Sequence, residues 1–264
     1  MAWKAMEVGL AWIMGFDGRD ALSFSFLIHL PTYALLASFY NLRPTTILAS
    51  YAIVLFSSAV PFTLLRSPNS VHDLSRAPKR AVSNRGILQD WPTTLLTTTL
   101  ATAMYTVTLY LSYETWLPAQ LVVYFDRLPN ITKVHAGPAG LPLLFVSLLP
   151  AGWAARDFLF VSSAGAPAAT SDSKSGNLAK PSQGEYLACA IYRKTWGALS
   201  PRTKVLLSRT GILSAVLMVN TVIQVSGTIN GASFEGATAW GFVWTLATSI
   251  VGLTYGWIEA VDGF

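Results

Sequence analysis

Two adjacent charged side chains within an apolar stretch are the residues of this chain best placed to do chemistry. Arg156 and Asp157 lie inside or at the edge of a run of apolar residues. A charge at the centre of a bilayer costs about 2.5–3.5 kcal/mol on insertion scales, so such residues usually face a cavity or a partner. A structural role is the alternative, because Arg156 lies about one helical turn from the end of its stretch and can reach lipid phosphates.

Three uncharged side chains complete the candidate intramembrane polar site. His29 is the only histidine within an apolar stretch, and it suits either a proton relay or a structural hydrogen bond, of which we favour the second. Asn220 and Gln224 are four residues apart, so they share one face of a helix. We expect that face to point into a helix bundle, where the two amides either join helices or line a polar site.

Six apolar stretches provide the elements that position these residues. Each is long enough to cross a bilayer as a helix, since about 20 residues rising about 1.5 Å each span about 30 Å. The stretches are 22–41, 45–65, 93–113, 141–161, 210–229 and 238–258. They predict an all-α fold, a polytopic transmembrane helix bundle of about six spans. Five or seven spans result if the N-terminal segment or the fourth stretch behaves differently.

The composition is typical of a chain whose surface faces lipid. Of the 264 residues, 52% are hydrophobic and 12% are charged, whereas about 25% of the residues of a soluble domain are charged. We expect a single integral membrane domain, because no segment is long enough for a second, soluble one. The net charge is +5, and the basic residues lie between the apolar stretches. Membrane lipids are therefore the expected partners of this charge, and nucleic acid is not.

The distribution of Lys and Arg predicts an orientation. Loops 66–92 and 162–209, together with residues 1–20, contain 14 of the 18 basic residues. The positive-inside rule then places these regions and both termini in the cytosol, with the bundle in an endomembrane or the plasma membrane. The Asn-Ile-Thr sequence at Asn130 falls on the opposite side, where it is a candidate glycosylation site.

Two segments outside the spans have the pattern of amphipathic helices. Within residues 1–20, apolar residues from Trp3 to Ile13 recur at helical spacing. This pattern indicates either a helix in the membrane interface or one packed on the bundle. Within 184–199, apolar residues accompany two basic ones. We expect a helix on the inner leaflet there, with its basic groups towards anionic lipids.

Two further patterns predict close helix packing. The third stretch contains eight threonines, whose hydroxyls bond to their own helix or to a neighbour, and we favour this packing role over a polar pathway. In the last stretch, Gly252 and Gly256 form a pair that lets helix backbones approach closely. The approach occurs either within the bundle or between two copies of the chain.

The sequence lacks the motifs of several classes of enzyme. The histidines are His29, His72 and His135, too few and too widely separated for the clusters of a di-iron membrane enzyme. The sequence has no His-Glu-x-x-His of a zinc protease, no P-loop and no glycine-rich dinucleotide motif. We therefore expect no metal, no cofactor and no catalytic residue, and we favour a protein that is not an enzyme.

Two parts of the chain resemble a group of fungal proteins. They are 84–92, with the sequence NRGILQDWP, and 136–142, AGPAGLP, which leads on to Arg156-Asp157-Phe158. These residues resemble uncharacterised multi-pass membrane proteins of filamentous fungi, over roughly the middle third of the chain. The resemblance implies an integral protein of a eukaryotic membrane. It implies no activity, so no catalytic residue is transferred.

Three functions remain open from the sequence. We favour a non-catalytic accessory or assembly component of a membrane complex, with a membrane protein partner or a second copy of the chain. The first alternative is a transporter or channel for a small solute, an ion or a lipid, which requires the five polar side chains to converge on one water-accessible cavity. The second is a lipid-modifying enzyme, for which Asp157 with Arg156, or Asp126 with His135, supply acid–base groups.

Overall fold

The computed structural model describes residues 2–40, 42–78, 82–126, 128–129, 137–166, 192, 194–197 and 199–262. Over these residues the chain is helical, as predicted, and the all-α fold is confirmed. The helices are α1 (Ala2–Ile13), α2 (Gly18–Phe39), α3 (Pro44–Leu65), α4 (Arg85–Gln89), α5 (Trp91–Glu114), α6 (Leu117–Tyr124), α7 (Leu141–Ala155), α8 (Pro201–Thr228) and α9 (Phe234–Asp262). The candidate glycosylation site Asn130 and most of 184–199 lie outside the described residues.

Five helical segments of the described chain are long and apolar enough to cross a membrane. They are α2, α3, α8, α9 and the continuous segment Pro138–Ala164, which contains α7. The remaining predicted span forms α5, whose 24 residues reach about 36 Å. Its eight threonines lower its hydropathy, and it does not belong to this set of five. α5 packs against both α7 and α9 within the bundle. That it forms a sixth span stays a prediction.

Polar caps determine where three of the long helices begin. The Asp17 carboxylate accepts the backbone N–H groups of Arg19 and Asp20 at the start of α2. Asp90 accepts the N–H of Thr93 at the start of α5. The Ser200 side chain accepts the N–H of Thr203 at the start of α8. Such caps satisfy N–H groups that have no carbonyl partner within their own helix.

α7 continues into a wider helical turn that directs a set of side chains into the bundle. The segment Arg156–Val161 is π-helical, and all six of its side chains are buried. A π-helical turn holds more residues than an α-helical turn and so changes the direction of the side chains that follow. It begins six residues after Pro150, which lacks a backbone donor. Both predicted charged site residues belong to this turn.

The threonine-rich face of α5 packs against α7 at one glycine. A Cβ on Gly152 would lie 2.0 Å from Oγ1 of Thr102 and 2.8 Å from the carbonyl oxygen of Thr98. The Thr102 hydroxyl donates to that same carbonyl at 2.8 Å, and Thr106 donates to the carbonyl of Thr102. These contacts give the threonines the packing role that the sequence favours.

The glycine pair of α9 is used within the bundle. A Cβ on Gly252 would lie 2.4 Å from Cγ2 of Thr210 in α8, so the two helices approach closely at that point. A Cβ on Gly256 would make an ordinary contact of 3.6 Å with Leu206, also in α8. Of the two roles left open for this pair, the structure shows packing of α9 on α8.

α1 packs on the outside of the bundle with its polar side inward. Trp3 and Glu7 contact side chains of α8 and α2, and Glu7 is buried. Met6, Trp12 and Ile13 are exposed on the opposite side. The structure thus shows a helix packed on the bundle, and a position of this helix in the membrane interface stays a prediction.

Candidate functional site in two buried polar clusters

The first cluster surrounds His29, halfway along α2. We call it the mid-bundle cluster, and its members are Trp3, Lys4, Glu7, Ser25, His29, Asn220 and Gln224. Nδ1 of His29 accepts a hydrogen bond from Nε2 of Gln224 at 3.0 Å, and Nε2 of His29 lies 3.3 Å from Oε2 of Glu7. Nδ1 therefore acts as an acceptor, and Nε2 is placed to donate a hydrogen bond to Glu7, with Nζ of Lys4 3.4 Å from the same Nε2. The His29 residue is only 2% exposed.

Glu7 brings a negative charge into this cluster and also has a cationic partner there. Its Oε1 accepts Nζ of Lys4 at 2.9 Å and the hydroxyl of Ser25 at 3.1 Å. A buried carboxylate is tolerated when it is paired and hydrogen-bonded. Lys4 and Glu7 thus form an ion pair within the mid-bundle cluster.

Asn220 joins three helices within the same cluster. Its Nδ2 donates to the carbonyl of Ile28 at 2.7 Å. Its Oδ1 accepts Nε1 of Trp3 at 2.7 Å and Nε2 of Gln224 at 3.0 Å. α1, α2 and α8 thus meet at one fully buried amide whose oxygen and nitrogen are both bonded. A satisfied network of this kind specifies how helices pack.

The second cluster lies at the end of the bundle where α2 and α8 begin. We call it the end cluster, and its members are Asp17, Arg19, Asp20, His72, Asp157 and Arg209. Nε of Arg19 donates to Oδ2 of Asp157 at 2.9 Å, and its Nη2 lies 2.8 Å from Oδ1. Nη1 and Nη2 of Arg209 donate to the two oxygens of Asp20 at 2.7 and 3.0 Å.

Asp17 and His72 form the third pair of the end cluster, outside the spanning helices. Nδ1 of His72 lies 2.7 Å from Oδ2 of Asp17, which also accepts the N–H of Asn69. Burial alone would raise the pKa of Asp17, but the bonds from His72 and from the N–H groups of Asp20 and Asn69 lower it well below its usual range. Burial alone would lower the pKa of His72, but the bond to Asp17 and the nearby carboxylates raise it.

The end cluster also contains the one group of described residues with the geometry of a metal site. Ligand atoms of Asp17, Asp20 and His72 lie within 4.8 Å of one another. All three are already engaged, since Asp20 binds Arg209 at two points and Asp17 binds His72. With His72 protonated, the cluster's three carboxylates face three cations. The charges are then balanced by side chains, and the arrangement favours a structural role over metal binding.

Arg156 belongs to neither cluster. Its Nη2 donates to Oγ1 of Thr94 in α5 at 2.9 Å, and its Cζ lies 5.7 Å from the ring centroid of Trp153. The adjacent Asp157 points instead towards α2, where it binds Arg19. The two neighbours of the predicted site therefore contact different helices and do not pair with each other.

The structure thus divides the five predicted site residues. His29, Asn220 and Gln224 come together, whereas Asp157 lies in the end cluster. His29 and Asp20 are nine residues apart on α2, which separates the clusters by about 14 Å along the helix. Sequence reasoning missed the partners at both places, among them Lys4, Glu7, Asp17, Arg19, Asp20, His72 and Arg209. Their charges next to or within apolar runs were the available signal, because an ionisable group at such a place needs a partner.

A groove on the outside of the bundle has a different character. It has a volume of about 530 Å³ and lies between α6, α8 and α9, where Trp116, Met218 and Phe242 give it mostly apolar walls. None of the five predicted site residues lines it. An apolar surface of this kind suits lipid or another helix better than a polar reaction.

Comparison with known proteins identifies the family of this chain. No curated protein and no solved structure matches the chain. The model of the bouquet formation protein 3 C-terminal domain matches residues 90–223, which is 134 of the 264 residues. This region contains α5, α6 and α7, the π-helical turn with Arg156 and Asp157, and α8 as far as Ile223. The chain belongs to the family of the bouquet formation protein 3 C-terminal domain.

Proposed function

We propose that this chain is a multi-pass membrane protein that acts in meiotic bouquet formation at the nuclear envelope, as a non-catalytic component. The observation that carries the proposal is the family match over residues 90–223, because the family is named for bouquet formation. The family is a fungal one, which agrees with the resemblance found in the sequence. The matched region contains α5, α6 and α7 and most of α8.

Exposed apolar side chains support the membrane part of the proposal. On α3, Ile53, Leu64 and Leu65 are exposed, and on α7 so are Leu143 and Val146. Exposed apolar side chains in such numbers are unfavourable in water and favourable against lipid. The basic end of the bundle would then face the cytosol or the nucleoplasm, together with both ends of the chain.

The state of the buried polar groups supports a non-catalytic role. Catalytic acids and bases need a free position for a substrate within hydrogen-bond reach. Glu7 and His29 are bound to each other and to neighbours, and Asp157 is held by Arg19. These groups join α1, α2, α7 and α8, so their main effect is to fix helix positions. Transport would require the five polar residues to share one cavity, and their division between two levels of the bundle does not favour it.

A non-catalytic component acts through the proteins that it binds. Purification of the chain shows whether it has such partners. The full chain, carrying a tag, would be purified from cells in meiotic prophase in a mild detergent, and every protein that co-elutes would be quantified by mass spectrometry. We expect a membrane-associated partner in near-stoichiometric amount. The same purification of an unrelated tagged multi-pass protein is the control. A chain that elutes alone, or with the same proteins as the control, would contradict the proposal.

A further inference from the structure

One buried guanidinium near the end cluster has no carboxylate partner among the described residues. Arg156 is only 4% exposed, yet no Asp or Glu of the described chain lies within ion-pair distance of it. Its Nη2 donates to Thr94, and its Nε is buried without a hydrogen-bond partner. A buried charge that lacks both a counter-charge and a full set of hydrogen bonds is costly. A bound anion would supply both.

The charges around Arg156 leave a positive excess. Arg19 lies close enough for its charge to act on Arg156, and the one carboxylate beside them, Asp157, is held by Arg19. Two cations and one anion give a local net charge of +1. The nearby Asp90 carboxylate is exposed and is bonded to the N–H and hydroxyl of Thr93 at the helix cap. The Asp90 carboxylate therefore reduces the local positive charge from the solvent side, but it does not pair with Arg156.

One hydroxyl of α5 stands beside this cation, since Oγ1 of Thr94 accepts from Arg156. Guanidinium N–H and hydroxyl O–H groups are the donors that phosphate oxygens bind, and hydrogen bonds between ionised partners are about twice as strong as neutral ones.

The position of Arg156 identifies the side from which a ligand would come. Thr94 lies four residues after the cap of α5, so Arg156 is about 6 Å from the start of that helix. Trp153, whose ring lies against Arg156, is exposed, and so are Trp91 at the start of α5 and Leu95 next to Thr94. Tryptophans at helix ends are typical of the membrane–water interface. The surface next to Arg156 therefore meets lipid headgroups and the first carbons of their acyl chains.

We propose that Arg156, with the hydroxyl of Thr94, binds the phosphate group of an anionic membrane lipid. The acyl chains of this lipid lie along the exposed sides of Trp153 and Leu95. Basic pockets between membrane helices on the cytosolic side are known to take such headgroups. The site rests on membrane insertion of the bundle, which is one part of the proposed function, and it does not depend on a role in bouquet formation.

Native mass spectrometry of the purified full chain tests this site. The protein, stripped of lipid in detergent, would be offered phosphatidic acid together with phosphatidylcholine. We expect one phosphatidic acid per chain, held in preference to phosphatidylcholine. Arg156→Gln should lower its occupancy about tenfold, as expected for loss of a charge-assisted contact. Arg76→Gln is the matched control, because its side chain is 86% exposed on the same end of the bundle; it should leave binding unchanged.

A second variant keeps the test decisive if Arg156→Gln does not fold. Thr94→Val retains the charge and the shape of the site but removes the hydroxyl that holds Arg156, and we expect a loss of occupancy of several fold. Equal binding by wild type and both variants, or an equal loss in Arg76→Gln, would overturn the proposal. Displacement of the lipid by millimolar inorganic phosphate would show a free-phosphate site and would overturn the lipid assignment. Failure of the bouquet experiments would leave these results unaffected.

Discussion

Arg209 and Asp20, 189 residues apart in the chain, form a two-point ion pair inside the bundle, with distances of 2.7 and 3.0 Å. Nη1 of Arg209 also donates to the carbonyl of Phe158 at 3.0 Å, and its Cζ lies 5.1 Å from the ring of Phe16 and 4.9 Å from that of Phe158. The guanidinium thus connects the start of α2, the π-helical turn after α7 and the first third of α8. Asp20 is fully buried, so neither partner is free to change alone.

Arg209→Met should destabilise the fold strongly. It leaves the buried Asp20 carboxylate without its cation, a change that typically costs about 3–5 kcal/mol. We expect a large fall in the midpoint of thermal unfolding in detergent, and a double variant with Asp20→Leu should recover much of it. Arg76→Gln, which removes an exposed charge, should shift the midpoint little. Equal midpoints for wild type and Arg209→Met would contradict the role of this pair.

His72 and Asp17 predict a pH dependence of stability. The pKa of folded His72 lies above its ordinary value of 6.5, so its contribution is complete below that value and is lost as the pH rises through the raised pKa. The pKa of folded Asp17 is depressed, so its contribution is present above the ordinary 3.8 and is lost at lower pH. Wild type should therefore lose stability from about pH 6.5 upwards, whereas His72→Gln should not. Parallel profiles for the two proteins would refute the pairing.

Two glycines with opposite surroundings test the packing of α7 on α5. Gly152→Ala places a methyl group 2.0 Å from Thr102, and overpacking of this kind costs about 1–3 kcal/mol. Gly211→Ala is the matched control, since a Cβ there meets nothing within 4 Å and alanine favours a helix by about 0.5–1 kcal/mol. Unfolding midpoints should move in opposite directions. A neutral or stabilising Gly152→Ala would show that the two helices are further apart.

Asn220→Leu tests the mid-bundle cluster. The leucine removes the acceptor of Trp3 and Gln224 and the donor to Ile28, and unsatisfied buried groups cost about 1–3 kcal/mol each. We expect lower thermal stability together with faster proteolysis of α1, whose contacts to α8 pass through this amide. Val219→Ala, at an exposed position next to it, serves as the control. Intact protection of α1 in Asn220→Leu would mean that other contacts hold this helix.

The all-α fold follows from the sequence because apolar runs of membrane length leave few alternatives. The spacing of Asn220 and Gln224 predicts that they share one helix face, and both side chains contact His29. The sixth span is less certain from composition, since the threonines of α5 lower its hydropathy although its length suffices. Helix length and spacing are local properties, and for that reason a single sequence reveals them.

The partners of the polar residues could not be predicted in the same way. Arg156 and Asp157 contact different helices because they open a π-helical turn, and no pattern in the sequence indicates such a turn. Glu7 reaches His29 only because α1 folds back along α2. Pairs such as Arg209 and Asp20 depend on how distant helices meet, and that information is absent from local periodicity.

A role in bouquet formation is tested by counting clustered chromosome ends. The fraction of meiotic prophase nuclei with clustered ends would be scored in cells with the wild-type chain, without it, and with Arg209→Met. We expect loss of clustering without the chain and a partial loss with the destabilised variant. An unchanged fraction of clustered nuclei in cells that lack the chain would contradict this role.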